Sequence, residues 1–134
     1  MQLYTSGLLV INSRKLLLAY SRNKQCFYLP GGKIDDGETA KRALCREIKE
    51  ELDVVLTEED LTYYAHITAA AYGEKEGVMM EQDCFLTNRI VQPKAAAEID
   101  ELRYFTLEEY LQQPHTAPGA IMILELLKAE NYID

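Results

Sequence analysis

Residues 30 to 54 read PGGKIDDGETAKRALCREIKEELDV, and this stretch decides how the chain is built. Pro30-Gly31-Gly32 reads as a sharp turn whose main-chain amides can approach a ligand closely. A helix is expected to open after it, over about Thr39 to Leu52, because Ala40, Leu44, Ile48 and Leu52 recur every fourth residue. That spacing makes a narrow apolar stripe suited to packing on a sheet. Glu47, Glu50 and Glu51 lie largely to one side of the stripe. Like charges three and four residues apart cost a helix roughly 0.2–0.5 kcal/mol per pair. Glu50, Glu51 and Asp53 also fall in the last turn, where the helix dipole disfavours anions. The arrangement is poor for a helix and good for a divalent cation. Clustered carboxylate oxygens are hard ligands, which suit Mg²⁺ or Mn²⁺. Taken alone, Lys49-Glu50-Glu51-Leu52 is weak evidence, since such runs usually mean only a solvated helix face, so the surrounding residues must decide.

They do so by spacing. Gly32 is followed after five residues by Glu38, after seven more by Arg46-Glu47-Ile48, and then by Lys49-Glu50-Glu51-Leu52-Asp53-Val54. The stretch from Gly32 to Val54 resembles the signature box of the Nudix hydrolase family. That box asks for Gly, five residues, Glu, seven residues, Arg-Glu-aliphatic, one residue, Glu-Glu, one residue, Gly and an aliphatic residue. Every named position matches except the last Gly, which is Asp53 here. Family members also often carry Glu where Asp35 stands. A helix end at Asp53 in the left-handed conformation is expected, which Gly reaches freely and Asp at some cost. The box covers 23 positions of 134, and the flanking pattern extends the likeness over most of the chain.

The resemblance implies an α/β fold, an α/β/α sandwich with a mixed sheet and two principal helices. By resemblance Arg46 and Glu38 orient the site while Glu47, Glu50 and Glu51 hold cations, Mg²⁺ with Mn²⁺ as the alternative. The implied reaction is hydrolysis of a diphosphate bond in a nucleoside diphosphate linked to another group, nucleoside triphosphates first. ADP-sugars and dinucleoside polyphosphates are the alternatives within the family, and a nucleotide-sensing domain without turnover is a different class. Hydrolysis needs a carboxylate to take a proton from the attacking water. Beside the box glutamates, Glu81, Glu98 and Glu101 are candidates, and Glu98 is favoured because Glu98-Ile99-Asp100-Glu101 precedes the last strand, where family members often carry an acidic loop. Gly31 and Gly32 would face the phosphates. Tyr4, Arg22, Tyr28 and Tyr72 are candidates for the nucleotide, aromatics for the base and Arg22 for a phosphate, although most tyrosines in a small domain serve packing.

Composition narrows the classes. A chain of 134 residues with 48% hydrophobic content has the size of one domain, spanning 1–134. A net charge of −8 argues against general nucleic-acid binding, which shows a basic patch or stripe. A polyphosphate would be repelled by the same charge unless metal ions screened it. Cys26, Cys45 and Cys84 form neither a disulfide framework nor a zinc site and read as free thiols of a reducing cytoplasm. His66 and His115 read as packed residues rather than ligands. No stretch is apolar for long enough to span a membrane, and the N-terminus lacks the basic start of a signal peptide.

Along the chain, Leu3 to Ile11 and Leu16 to Ser21 read as strands joined in a hairpin at Asn12-Ser13-Arg14-Lys15. A short strand should end at Pro30. Leu61 to Tyr72 and Val78 to Leu86 read as a second hairpin joined near Gly73 to Gly77. Glu101 to Phe105 reads as a last strand, Leu107 to Gln112 as a helical turn and Ala117 to Asn131 as a C-terminal helix.

Overall fold

The computed structural model describes residues 1–134. In chain order its elements are β1 (Gln2–Leu9), β2 (Ile11–Asn12), β3 (Lys15–Ser21), β4 (Cys26–Tyr28), β5 (Gly31–Lys33), α1 (Ala40–Leu52), β6 (Leu61–Ala70), β7 (Met79–Thr87), β8 (Ile99–Phe105), α2 (Leu107–Leu111) and α3 (Pro118–Ala129). One sheet has the order β5-β1-β7-β6, with β1 and β7 parallel and the outer pairs antiparallel. The other is antiparallel throughout, built on β3, which pairs with β2, β4 and β8.

Alternation along the strands explains the layering. Successive side chains of a strand point to opposite faces, so one apolar strand can serve two cores. Leu9, Leu16, Leu18, Cys84 and Phe105 pack with Ile123, Leu124 and Leu127 of α3. Their neighbours Leu8, Leu17 and Phe85 pack with Leu44, Ile48 and Leu52 of α1. Helices therefore cover both faces of a mixed sheet arrangement, the α/β/α sandwich that the box implies.

Three local expectations are corrected. Strand β1 does not form a hairpin with β3: only Ile11–Asn12 turns back on Lys15 and Leu16, through Ser13 and Arg14 at φ 52° and 61°, while β1 joins the other sheet. The glycine bend is itself a strand, with Gly31, Gly32 and Lys33 paired to Gly7, Ser6 and Thr5. The helix α1 spans Ala40–Leu52 with Thr39 as its cap, as the fourfold apolar spacing predicts. The four-residue spacing of Glu38 and Arg42 suggests a helical ion pair, but Glu38 precedes the helix and Arg42 lies 3.5 Å from Glu58 instead. The second hairpin, β6 to β7, forms antiparallel with a bulge between Tyr63 and Ala65.

Candidate active site

The helix is held at both ends by its own residues. The Thr39 Oγ1 accepts from the Arg42 N–H at 3.2 Å, which satisfies one of the donors a helix start leaves unpaired. At the other end Asp53 adopts φ 53° and ψ 39°, and its N–H donates to the Lys49 carbonyl. The Lys49 ammonium lies 2.5 Å from the Asp53 carboxylate, a pairing that helps a non-glycine residue hold the left-handed turn. Pairing of β5 with β1 then brings the two glycines under α1, and each glycine is needed for a different reason. Gly31 has φ 139°, and a side chain there would collide with the Ser6 carbonyl. At Gly32 a Cβ would sit 2.6 Å from the Glu47 carboxyl carbon.

Arg46 gathers the acidic residues. Its guanidinium donates to both oxygens of Glu38, each at 2.9 Å, to Glu47 Oε1 at 2.9 Å and to the Lys33 carbonyl at 3.1 Å. Asp35 and Glu50 stand farther off, at 3.3 and 3.7 Å. The Arg46 hydrogen bonds hold the Glu38 carboxyl down at about 2. Glu47 goes the other way: burial raises it, against Arg46, and Glu50 and Asp35 add to the rise. Glu51 is the extreme case. It is 5% exposed, and burial pushes its carboxyl up to about 8 against one hydrogen bond, from the Gly31 N–H at 3.1 Å, with Glu47, Glu98 and Glu50 pushing the same way. Glu50 is over half exposed. No three His, Cys, Asp or Glu side chains converge to hold one ion here; Arg46 and the Gly31 amide engage Glu47 and Glu51.

These groups fit a divalent cation. The donors are carboxylate oxygens, and two of the carboxyls are crowded enough that their charged forms are disfavoured without added positive charge. Arg46 is the single cation in contact with this cluster, and it is already shared among four carboxylates.

Glu47, Glu51, Gly31 and Gly32 form one end of a pocket of about 360 Å³. The pocket runs between the β5-β1-β7-β6 sheet and the start of α3, where Leu3, Ala70, Met80 and Ala120 give it apolar walls. Tyr28, Tyr72 and Glu98 line it as well. Burial raises Tyr28 to about 12, so its phenol stays protonated at neutral pH. Glu98 accepts from the Asn23 amide at 2.9 Å, and its carbonyl accepts from the Arg22 N–H at 3.0 Å. Other candidates lie elsewhere. Arg22 is exposed and gives both its bonds to Asp100, so its guanidinium is not turned to the pocket. Tyr4 is exposed and donates to Gln2. Glu81 belongs to a surface network with His66 and Thr68, and Glu101 pairs with Arg103. Glu38, Arg46 and Glu50 stand behind the pocket rather than in its wall.

Four polar lining residues escaped the sequence reading, Lys24, Lys33, Thr5 and Gln82. For Thr5 and Gln82 a signal existed, since each is a polar side chain on an alternating face otherwise made of Leu3, Gly7 and Leu9 in β1 and of Met80, Cys84 and Leu86 in β7. Lys24 and Lys33 sit in a turn and a strand end, where a lysine is unremarkable in sequence.

Comparison with known proteins adds the following. A NUDIX domain family model matches residues 1–126. An ADP-ribose pyrophosphatase of Methanocaldococcus jannaschii is 42% identical over 50 residues, a match spanning 35% of this chain and 30% of that protein. Among solved structures, the MutT NUDIX hydrolase from Burkholderia pseudomallei aligns with a TM-score of 0.76 at 25% identity, over 93% of this chain and 97% of that one. A bifunctional NMN adenylyltransferase/ADP ribose pyrophosphatase from Francisella tularensis, complexed with AMP and a Mn ion, shares the fold with a TM-score of 0.71 at 19% identity, over 97% of this chain and 42% of that one.

Proposed function

Because this chain belongs to the Nudix family, we propose that it is a Mg²⁺-dependent hydrolase that splits a diphosphate bond in a nucleoside diphosphate-linked substrate, with nucleoside triphosphates leading. The observation that carries this reading is the placement of Glu51. A carboxyl 5% exposed and raised to about 8 sits at the acidic end of a pocket large enough for a nucleoside, and groups perturbed by burial within a cleft mark functional sites.

In this reading Glu47, Glu50 and Glu51 hold the metal, with Mn²⁺ an alternative to Mg²⁺. A divalent ion supplies charge neutralisation at the diphosphate oxygens and the leaving group. The chain's own residues do the rest. Arg46, anchored on Glu38 and the Lys33 carbonyl, fixes the direction of Glu47. Gly31 and Gly32 let the phosphates come close to the main chain. Lys24 and Lys33 are the two cations in the pocket wall and offset part of the repulsion of an acidic protein for a polyanion. Glu98, held by Asn23, takes the proton of the attacking water. Residues 1–134 act as one domain, since β1 and β3 supply both apolar clusters.

A second reading, ADP-ribose as the substrate, is favoured by the local identity to the Methanocaldococcus jannaschii enzyme. A screen of nucleoside triphosphates, ADP-ribose and other nucleotide sugars with Mg²⁺, followed by product identification, separates the two. Pyrophosphate plus a nucleoside monophosphate marks a triphosphate substrate, whereas AMP plus ribose 5-phosphate marks ADP-ribose. Glu50→Gln and Glu51→Gln are each expected to lower turnover by at least about a hundredfold, a loss of some 3 kcal/mol in transition-state stabilisation, with the circular dichroism spectrum unchanged. Near-normal turnover in both variants refutes the assigned ligands.

A further inference from the structure

Arg22 and Asn23 lie outside the pocket wall, yet both grip the segment that carries Glu98. That segment, residues 94–100, hangs between two anchors. On one side the Lys94 and Ala96 N–H groups donate to the Leu52 and Glu51 carbonyls at 2.8 and 2.9 Å. These carbonyls end α1 and have no partner within the helix, so the segment takes its position from the same turn that carries Glu51. On the other side stands the turn after β3. There the Arg22 N–H donates to the Glu98 carbonyl at 3.0 Å. The Arg22 guanidinium donates twice to Asp100 Oδ1, at 2.9 and 2.6 Å, and the Asn23 amide donates to Glu98 Oε2 at 2.9 Å.

Between the anchors the backbone takes a shape that its residues would not choose alone. Ala97 has φ 54°, a left-handed conformation that a residue with a Cβ rarely adopts and that persists only where its surroundings enforce it. The pairing of β3 with β8 then slips: Tyr20 faces Glu101 while Ser21 faces Ile99, which leaves Asp100 as the extra residue. Bulges of this kind re-aim nearby side chains. The two irregularities flank Glu98, which lines the pocket with Glu47 and Glu51. Stability does not account for the grip, because exposed ion pairs such as Arg22 with Asp100 contribute little to it.

We propose that Arg22 and Asn23 are positioning residues that hold Glu98 at a fixed place relative to Glu51 for removal of the water proton. The inference rests on the reading of Glu98 as the proton acceptor given above. Asn23 engages Oε2 and leaves Oε1, which has no partner in the protein, as the oxygen that receives the proton. A base acts only within hydrogen-bond reach of the proton it removes, and misplacement by about 1 Å costs up to roughly a hundredfold in rate. Arg22 restrains the residue on the far side of the bulge, so the segment is held before and after the carboxylate.

The test is steady-state hydrolysis of ATP, GTP, CTP, UTP and ADP-ribose by the full chain with Mg²⁺. Glu98→Gln is expected to lower kcat at least about a hundredfold on whichever of these is cleaved. Asn23→Ala and Arg22→Ala should each lower kcat about tenfold while KM stays within about twofold, since misplacing the base acts on the transition state and neither residue lines the pocket. Asn23→Asp, which keeps the shape but sets an anion against Glu98, should lose more than Asn23→Ala. Adding Asn23→Ala to Glu98→Gln should cost nothing further, because residues that act as a unit are not additive; a merely structural role would lower kcat again. Wild-type kcat in both alanine variants, or additive losses in the double variant, would overturn this inference alone. Near-normal turnover in Glu98→Gln would overturn the choice of base, no cleavage of any of the five would overturn the catalytic reading, and this inference falls with either.

Discussion

The two adjacent glycines make opposite kinds of demand, and substitution separates them. Gly31 is required by its backbone, because its φ of 139° and the nearness of the Ser6 carbonyl leave no room for a Cβ. Gly32 is required by the site, because its missing Cβ is where the Glu47 carboxyl lies. Gly31→Ala is therefore expected to destabilise the fold by about 1–3 kcal/mol, the usual cost of forcing a side chain into a sparsely populated backbone region. Urea unfolding measures it. Gly32→Ala displaces only the end of a flexible side chain, so its midpoint should move little while turnover falls at least about tenfold, since ligand misplacement acts on the transition state. Equal losses of stability in the two variants would contradict this division. The sequence made both glycines conspicuous, but their different duties depend on strand pairing with Ser6 and Gly7, which nothing in residues 30 to 54 announces.

At the scale of the elements, α1 was legible and its surroundings were less so. The fourfold repeat of Leu44, Ile48 and Leu52 states a buried face, and those three residues are fully buried. The spacing of the glutamates states their common side. What local pattern cannot state is which strand pairs with which. Strand β1 takes β7 as its parallel neighbour across most of the chain, and β5 has two glycines that carry no strand propensity; it forms because β1 offers an open edge. The same limit hid Thr5 and Gln82, which become neighbours only through that parallel register. Arg46 is the residue that joins α1 to the segment before it. The two Glu38 bonds and the Lys33 carbonyl use the planar fork of its guanidinium, which an ammonium cannot reproduce. Arg46→Lys should keep the helix, as its stripe is untouched, yet lower kcat by about tenfold or more as Glu47 loses its fixed direction. Circular dichroism and steady-state kinetics read the two effects separately; unchanged kcat would show that the fork has no positioning role.

For the whole molecule, the acidic site sets a tension between folding and function that pH exposes. Glu51 has an ordinary carboxyl value of 4.5 in the unfolded chain and is raised to about 8 in the folded one, chiefly by burial. Below about pH 4.5 it is neutral in both states and its burial is tolerated. Between 4.5 and about 8 the folded chain keeps a proton that the unfolded chain has released, so stability falls as pH rises through this window and levels off above it. His66, raised by Asp83 and Glu81 from 6.5, adds a slope of the same sign as it loses its proton. Glu51→Gln removes the first contribution and keeps the second. Metal-free wild type should thus lose more Tm between about pH 5 and 8 than Glu51→Gln does. Mg²⁺ then reverses the loss at pH 8 in wild type, because a cation that binds only the folded state stabilises it by about 2.7 kcal/mol at a hundred times its Kd. The variant, lacking a ligand charge, should gain much less from Mg²⁺ at the same concentration. Parallel pH profiles for the two proteins, or an equal rise in Tm on adding Mg²⁺, would show that Glu51 neither carries the buried charge nor receives the ion.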